Sequence, residues 1–206
     1  MAYDVDRRPG TWVSEQAARK SARVWFLAAL LVALALVAVG LVVSSSATAL
    51  SSVVVIALAL GLRWYANREM DTAINWLGGA RAEEAVGDEL NALRHEGFVV
   101  MHDIDPGYGG NIDHLVSGPT GVFMVETKLN GFPPAALLRA KRHAAKIHDE
   151  VGVWVTPVIC IHRREGKPFE MQGVWIVPRR CVLDWLRAQQ NKPVDFERLA
   201  RYADGL

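Results

Sequence analysis

From residue 24 to residue 62 the chain carries no Asp, Glu, Lys or Arg. A run of that kind is incompatible with the surface of a small globular domain, so it must be covered by lipid, by protein or by itself. It divides at Ser44-Ser45-Ser46. Residues 24–43 match the length a bilayer-spanning helix needs, roughly 20 residues. Residues 47–62 are fewer and include Ser51 and Ser52. One unbroken helix over both would be about 58 Å long at about 1.5 Å per residue, nearly twice the bilayer core. The expectation is a two-helix transmembrane hairpin with a serine turn. Arg7, Arg8, Arg19, Lys20 and Arg23 precede it, and Arg63 and Arg68 follow it. The positive-inside rule then places both flanks in the cytoplasm, anchored to the inner or plasma membrane. Trp25, Trp64 and Tyr65 stand where rings favour the headgroup level. A secretory signal peptide is the alternative, since Ala47-Thr48-Ala49 resembles a cleavage site. A cleaved and exported chain would then have to bury the second apolar run.

The remainder suffices for one domain. The expected organisation is a tail over 1–23, the membrane hairpin over 24–62, a linker helix over 63–78 ended by Gly78-Gly79, and a domain over 79–206. Cys160 and Cys181 sit in apolar contexts without CxxC spacing, which predicts buried thiols in a reducing compartment and no zinc site.

Within that domain, residues 80–95 have helical periodicity, with Ala82, Val86, Leu90 and Leu93 near one face and Gly97 as terminator. Strands are expected at 98–102, 111–117, 122–127, 151–161 and 173–177. Helices are expected at 135–150, 179–189 and 195–204. The order is that of a mixed α/β sandwich. The loop 105–110 is glycine-rich but precedes a strand and lacks the lysine of a phosphate-binding loop.

The two strands joined by Gly118-Pro119-Thr120-Gly121 read as a β-hairpin. Strand side chains alternate between faces, so Glu126 and Lys128 point one way and Thr127 the other. Pairing across the turn would bring Asp113 to the same side as Glu126 and Lys128. Two carboxylates and an ammonium in an apolar hairpin suit Mg²⁺-dependent phosphodiester chemistry. The carboxylates hold a hard cation by oxygen, while the lysine orients water and offsets phosphate charge.

An acidic helix residue, a strand Asp, a turn and a strand ending in Glu-x-Lys follow the order of a PD-(D/E)xK nuclease. The likeness narrows at Gly79-Ala80-Arg81-Ala82-Glu83, Ile112-Asp113-His114, Gly118-Pro119-Thr120-Gly121-Val122 and Glu126-Thr127-Lys128. Over about residues 79–162 the chain resembles the nuclease-related domain, NERD, with Ala82 in place of the usual second glycine. The resemblance implies a restriction-endonuclease-like mixed sheet flanked by helices, and a Mg²⁺- or Mn²⁺-dependent nuclease acting on DNA or RNA. Glu83, Asp113, Glu126 and Lys128 would be its catalytic set. Asp113, Glu126 and the Thr127 carbonyl would bind the metal, Lys128 would position water, and Glu83 would reach in from the helix.

Other features are weaker. His114 faces away from Asp113, which suits a core or supporting position. His143 and His148 are not on one helical face, so no zinc pair is expected. Arg139, Arg142 and Lys146 do share a face, but a solvated stripe is the default. Trp154, Trp175 and Trp185 lie among aliphatics and are expected in the core. From residue 63 onward there are 18 Lys and Arg against 19 Asp and Glu, which argues against a strongly basic nucleic-acid binder. A membrane-anchored module that binds nucleic acid or protein on the same fold without catalysis is therefore the rival function.

Overall fold

A computed structural model of the chain describes residues 18, 22, 25–37, 40, 49–106 and 110–190. The chain divides into two compact units, with Leu77–Gly78 as the division that separates the residues described below. In the N-terminal unit, residues 25–37 are helical, and helix α1 (Ala49–Asn91) begins there. Among the described residues no helix is long and apolar enough to cross a membrane. The described part of the first apolar run, 25–37, falls short of the roughly 20 residues a crossing needs. The serine turn 44–46, the tail 1–17 and the expected helix 195–204 lie outside the described residues.

The expected helix break at Gly78-Gly79 is corrected: α1 continues through both glycines to Asn91. Neither adopts the left-handed backbone that ends a helix, and Ala80-Arg81-Ala82-Glu83 beyond them are good helix formers. A Cβ at Gly78 would lie 2.9 Å from the terminal methyl Leu129 Cδ2, while nothing stands within 4 Å at Gly79. A 3₁₀ turn, Ala92–Glu96, follows, and Gly97 at φ 81° ends it as expected.

The C-terminal unit holds one mixed six-stranded sheet, flanked by helices. Its strands are β1 (Val99–Ile104), β2 (Ile112–Gly118), β3 (Gly121–Lys128), β4 (Val155–Ile161), β5 (Phe169–Met171) and β6 (Val174–Pro178), in the order β1-β2-β3-β4-β6-β5. The meander β1-β2-β3 is antiparallel, β3-β4-β6 is parallel, and β5 is an antiparallel edge. Helix α2 (Pro134–Val151) supplies the crossover from β3 to β4, as a parallel pair requires. Its Ala136, Leu137, Ala140, Ala144 and Ile147 pack with Leu115, Met124, Ile159 and Ile176 on one face of the sheet. On the other face Val86 and Leu90 of α1 and Trp185 and Leu186 of the short helix α3 (Val182–Arg187) pack with Val116, Phe123, Val125 and Cys160.

The tight turn between β2 and β3 explains two of its glycines. A Cβ on Gly118 would sit 2.1 Å from the Phe98 ring, and Gly121 has φ 130°. Three expectations shift. Helix α2 runs on through Val151 to a left-handed Gly152, so β4 starts at Val155. Trp154 is exposed rather than in the core, with its ring against His148. Cys181 is half-buried and Cys160 fully buried; both are free.

Candidate active site

The site is built on the ends of three adjacent strands. His114 pairs with Val125 and with His102, so the neighbouring row across the sheet holds Asp103, Asp113 and Glu126. Asp113 and Glu126 meet through the Thr127 peptide. The Thr127 N–H donates to Asp113 Oδ2 at 2.6 Å. Lys128 Nζ donates to Glu126 Oε1 at 2.6 Å and to the Thr127 carbonyl at 2.9 Å. Arg139, one turn into α2, also donates to Glu126 Oε1. Glu83 enters from α1, is buried, and lies within electrostatic reach of Asp113, Asp103, Lys128 and Glu126. The structure thus joins Asp113, Glu126, Lys128 and the Thr127 carbonyl through direct or shared contacts, with Glu83 within electrostatic reach of them.

Burial is the main force on these acids. It pushes the Glu83 carboxyl well above the usual carboxylate range, and the negative charges of Asp113 and Asp103 push it further; Lys128 opposes them. Asp113 is raised too, first by burial and then by Glu126, against the lowering effect of Lys128, the Thr127 N–H and Arg139. Crowded buried carboxylates behave this way because each ionised group disfavours the next.

Two residues escaped the sequence reading. Asp103 is buried at the end of β1 with φ 51°, a left-handed conformation that a non-glycine residue adopts at a cost. Nothing in a strand pattern announces a backbone kink, and only the β1–β2 register aligns Asp103 with Asp113. In sequence Arg139 belongs to a helical stripe with Arg142 and Lys146, for which solvation is the default. That stripe is divided: Arg139 turns to Glu126, Lys146 pairs with Glu150, and Arg142 is exposed.

Thr127 also links the site to the other side of the sheet. Its hydroxyl lies 3.1 Å from His114 Nε2. His114 Nδ1 is 2.8 Å from His102 Nδ1, and His102 Nε2 is 3.1 Å from Asn91 Oδ1. One set of tautomers satisfies all three contacts: Thr127 donates to His114, His114 to His102, and His102 to Asn91. Both rings stay neutral. Burial lowers His102 to about 4 and holds His114 well below the ordinary histidine value.

Among the described residues no group of three or more His, Cys, Asp or Glu is arranged to hold a metal ion. Lys128 and Arg139 occupy Glu126 Oε1, and the Thr127 amide occupies Asp113 Oδ2. The donor chemistry nevertheless suits a hard cation. Glu126 Oε2 and Glu83 Oε2 are buried and have no hydrogen-bond partner among the described residues. A buried carboxylate oxygen left bare carries a substantial desolvation penalty, and oxygen donors are what Mg²⁺ and Mn²⁺ take.

The fold and site together define a mixed α/β domain with an acidic and lysine cluster at its strand ends. Residues 78–162 match the family model of the nuclease-related domain, NERD. The match spans the C-terminal part of α1 through β4 and includes every predicted site residue; β5, β6 and α3 lie beyond it. No curated protein and no solved structure matches the chain.

Proposed function

We propose that residues 78–190 form a divalent-cation-dependent nuclease of restriction-endonuclease-like architecture that hydrolyses phosphodiester bonds of DNA or RNA. The observation that carries this is the convergence of Asp113, Glu126 and Lys128 on the Thr127 peptide beside bare buried oxygens of Glu126 and Glu83. Asp113, Glu126 and the Thr127 carbonyl would hold the Mg²⁺ or Mn²⁺. Bound there, the cation would neutralise phosphate charge and acidify water. The Lys128 ammonium, held between Glu126 and the Thr127 carbonyl, would orient a water for attack at phosphorus and offset the charge that develops there. Glu83, kept protonated by burial, would donate a hydrogen bond until a cation draws it into its ionised form. Arg139 faces the same carboxylate and would stabilise phosphate charge when released from it.

A nuclease assay on the full chain with increasing Mg²⁺ or Mn²⁺ tests this. Cation-dependent cleavage, lost in Asp113→Ala and Lys128→Ala, is expected; cleavage that persists in both variants would refute the assignment.

The second reading is a non-catalytic binding module. It draws on the same Glu126 oxygen, which already holds two cationic side chains as a closed structural ion pair would. Absence of any calorimetric response to Mg²⁺ would favour it.

We further propose attachment to a lipid bilayer through residues 24–62, with the domain on the cytoplasmic side. The uncharged run supports this, as do the exposed side chains of Trp25, Phe26, Leu36, Ile56 and Leu60. The expected result is a membrane-pellet fraction resistant to carbonate extraction and a domain shielded from external protease in intact cells. Release by carbonate would refute the attachment.

A further inference from the structure

The near-equality of acids and bases conceals how they are distributed. Residues 78–190 hold 13 Lys and Arg against 14 Asp and Glu. Glu83, Asp103 and Glu126 among those acids are buried. Several bases gather at one end of the sheet. The parallel strands β3, β4 and β6 all finish there, with Lys128 paired to Ile161 and Ile161 to Pro178. The segment after β4 reads His162-Arg163-Arg164-Glu165-Gly166-Lys167, and Arg179-Arg180 follow β6. Its backbone is tied to the site strand: His162 N–H donates to the Lys128 carbonyl at 2.8 Å, and Arg163 N–H to the Leu129 carbonyl at 2.9 Å.

Arg81, Lys141 and Arg142 lack an ion pair among the described residues as well, but the cations of this loop lie together at the site end of the sheet. Arg139, Arg179 and Arg187 each have a carboxylate partner. Glu165, the acid within the loop, is taken by Arg180. Arg163, Arg164 and Lys167 are exposed and form no ion pair among the described residues. The Arg164 guanidinium sits 4.9 Å from the centre of the Phe169 ring, which covers an apolar side chain and steadies the charge. Three exposed cations within five residues raise the local positive potential, which attracts a polyanion more than it does a small counterion.

We infer that residues 163–167 form a phosphate-binding rim that guides the backbone of a nucleic-acid strand toward the carboxylate cluster. Two features favour nucleic acid over an anionic lipid surface. The rim lies at the carboxyl ends of parallel strands, where open α/β sheets receive their ligands. It also presents no bare apolar side chain for insertion, since Phe169 is beneath Arg164. The assignment rests on the nuclease reading for what the strand meets beyond the rim, but binding can be measured without hydrolysis.

The test uses the full chain in a zwitterionic detergent with EDTA. Fluorescence anisotropy is recorded on labelled single-stranded DNA, duplex DNA and RNA of one length over a series of salt concentrations. The triple variant Arg163→Gln, Arg164→Gln, Lys167→Gln should weaken low-salt binding at least about tenfold and reduce the salt slope by about 2 to 3. Lys141→Gln, which removes a charge near Gly173 at the opposite end of β6, should leave both unchanged. Equal binding by the triple variant and the unmodified chain would overturn the rim, as would no binding to any of the three nucleic acids. In a parallel arm, with the chain reconstituted free of detergent, binding only to phosphatidylglycerol vesicles, lost in the triple variant, would overturn nucleic acid as the occupant. A rim that passes in a chain that hydrolyses nothing would refute the nuclease and leave the binding surface standing.

Discussion

Strand β3 carries polar groups on both faces, and the two sides treat them differently. On one, Glu126 binds Lys128 and Arg139 in the row of Asp113, within electrostatic reach of Glu83; two buried carboxylate oxygens have no partner among the described residues. On the other, the Thr127 hydroxyl, His114, His102 and Asn91 form a chain of contacts in which both rings stay neutral. The histidine side has the satisfied polar groups that a stable core requires. The carboxylate side departs from that rule, and departures of this kind concentrate where a ligand completes the set. Thr127 belongs to both: its side chain joins the satisfied chain, while its amide and carbonyl reach the unsatisfied one.

If the two sides differ in this way, mutations should separate activity from stability. Lys128→Ala should lower cation-dependent cleavage by roughly 10² to 10³, the scale of losing one charge-stabilising donor. Its melting temperature should change little, since the ammonium is partly exposed. His114→Ala should reverse that pattern. It strands the Thr127 hydroxyl and His102 in the core and leaves a cavity, costing roughly 2–4 kcal/mol. That cost should appear as a fall in melting temperature of about 10 °C or more. Comparable losses of stability in both variants would erase the distinction.

Stability against pH should have two limbs, one from each side. The histidines titrate lower in the fold than free, so the stability they contribute is full above about 6.5 and lost as the pH falls toward about 4. Glu83 and Asp113 are shifted upward. The stability from their folded-state protonation is full below the ordinary values of 4.5 and 3.8 and lost as the pH rises through the raised folded values. Denaturant melts in EDTA should therefore weaken both toward acid and toward alkali. Mg²⁺ should rescue the alkaline limb alone. Glu83→Gln, which fixes the neutral form, should raise the melting temperature by about 5 °C at pH 8 and by nothing measurable near pH 4. An alkaline limb unaffected by Glu83→Gln would remove the case for crowded buried acids.

The smallest expected effect lies at the junction. Thr127→Val keeps the strand shape and deletes the hydroxyl, at about 1 kcal/mol. Cation affinity should fall by about tenfold, a common result when a supporting hydrogen bond is lost, and Thr127→Ser should restore it. Unchanged affinity in the valine variant, measured calorimetrically, would mean the two sides are independent.

Alternation and turn chemistry made much of this legible in the sequence. They placed Asp113, Glu126 and Lys128 on one side and His114 on the other, because a strand's period is two and Gly118–Gly121 fixes the pairing. What they could not supply is anything set by tertiary contact. Asp103 depends on a backbone kink within β1, and Arg139 on how α2 docks over β3. The Gly78-Gly79 pair suggests a helix end, yet α1 runs on through it; Leu129 lies beside Gly78 and open space beside Gly79, neither of which a sequence reveals. Trp154 was misplaced because an apolar neighbourhood in sequence does not fix the side on which a residue at a strand's start emerges. The basic rim was hidden by counting charges without knowing which acids are buried.

Isothermal titration of the full chain with Mg²⁺, beside Asp113→Ala and Glu126→Gln, tests the central claim most directly. Saturable binding by the unmodified chain, lost in both variants while their folds persist by circular dichroism, is the result expected of an incomplete carboxylate site. Absence of binding by the unmodified chain, or equal binding by all three, would mean that these acids form a structural cluster with no cation to complete it.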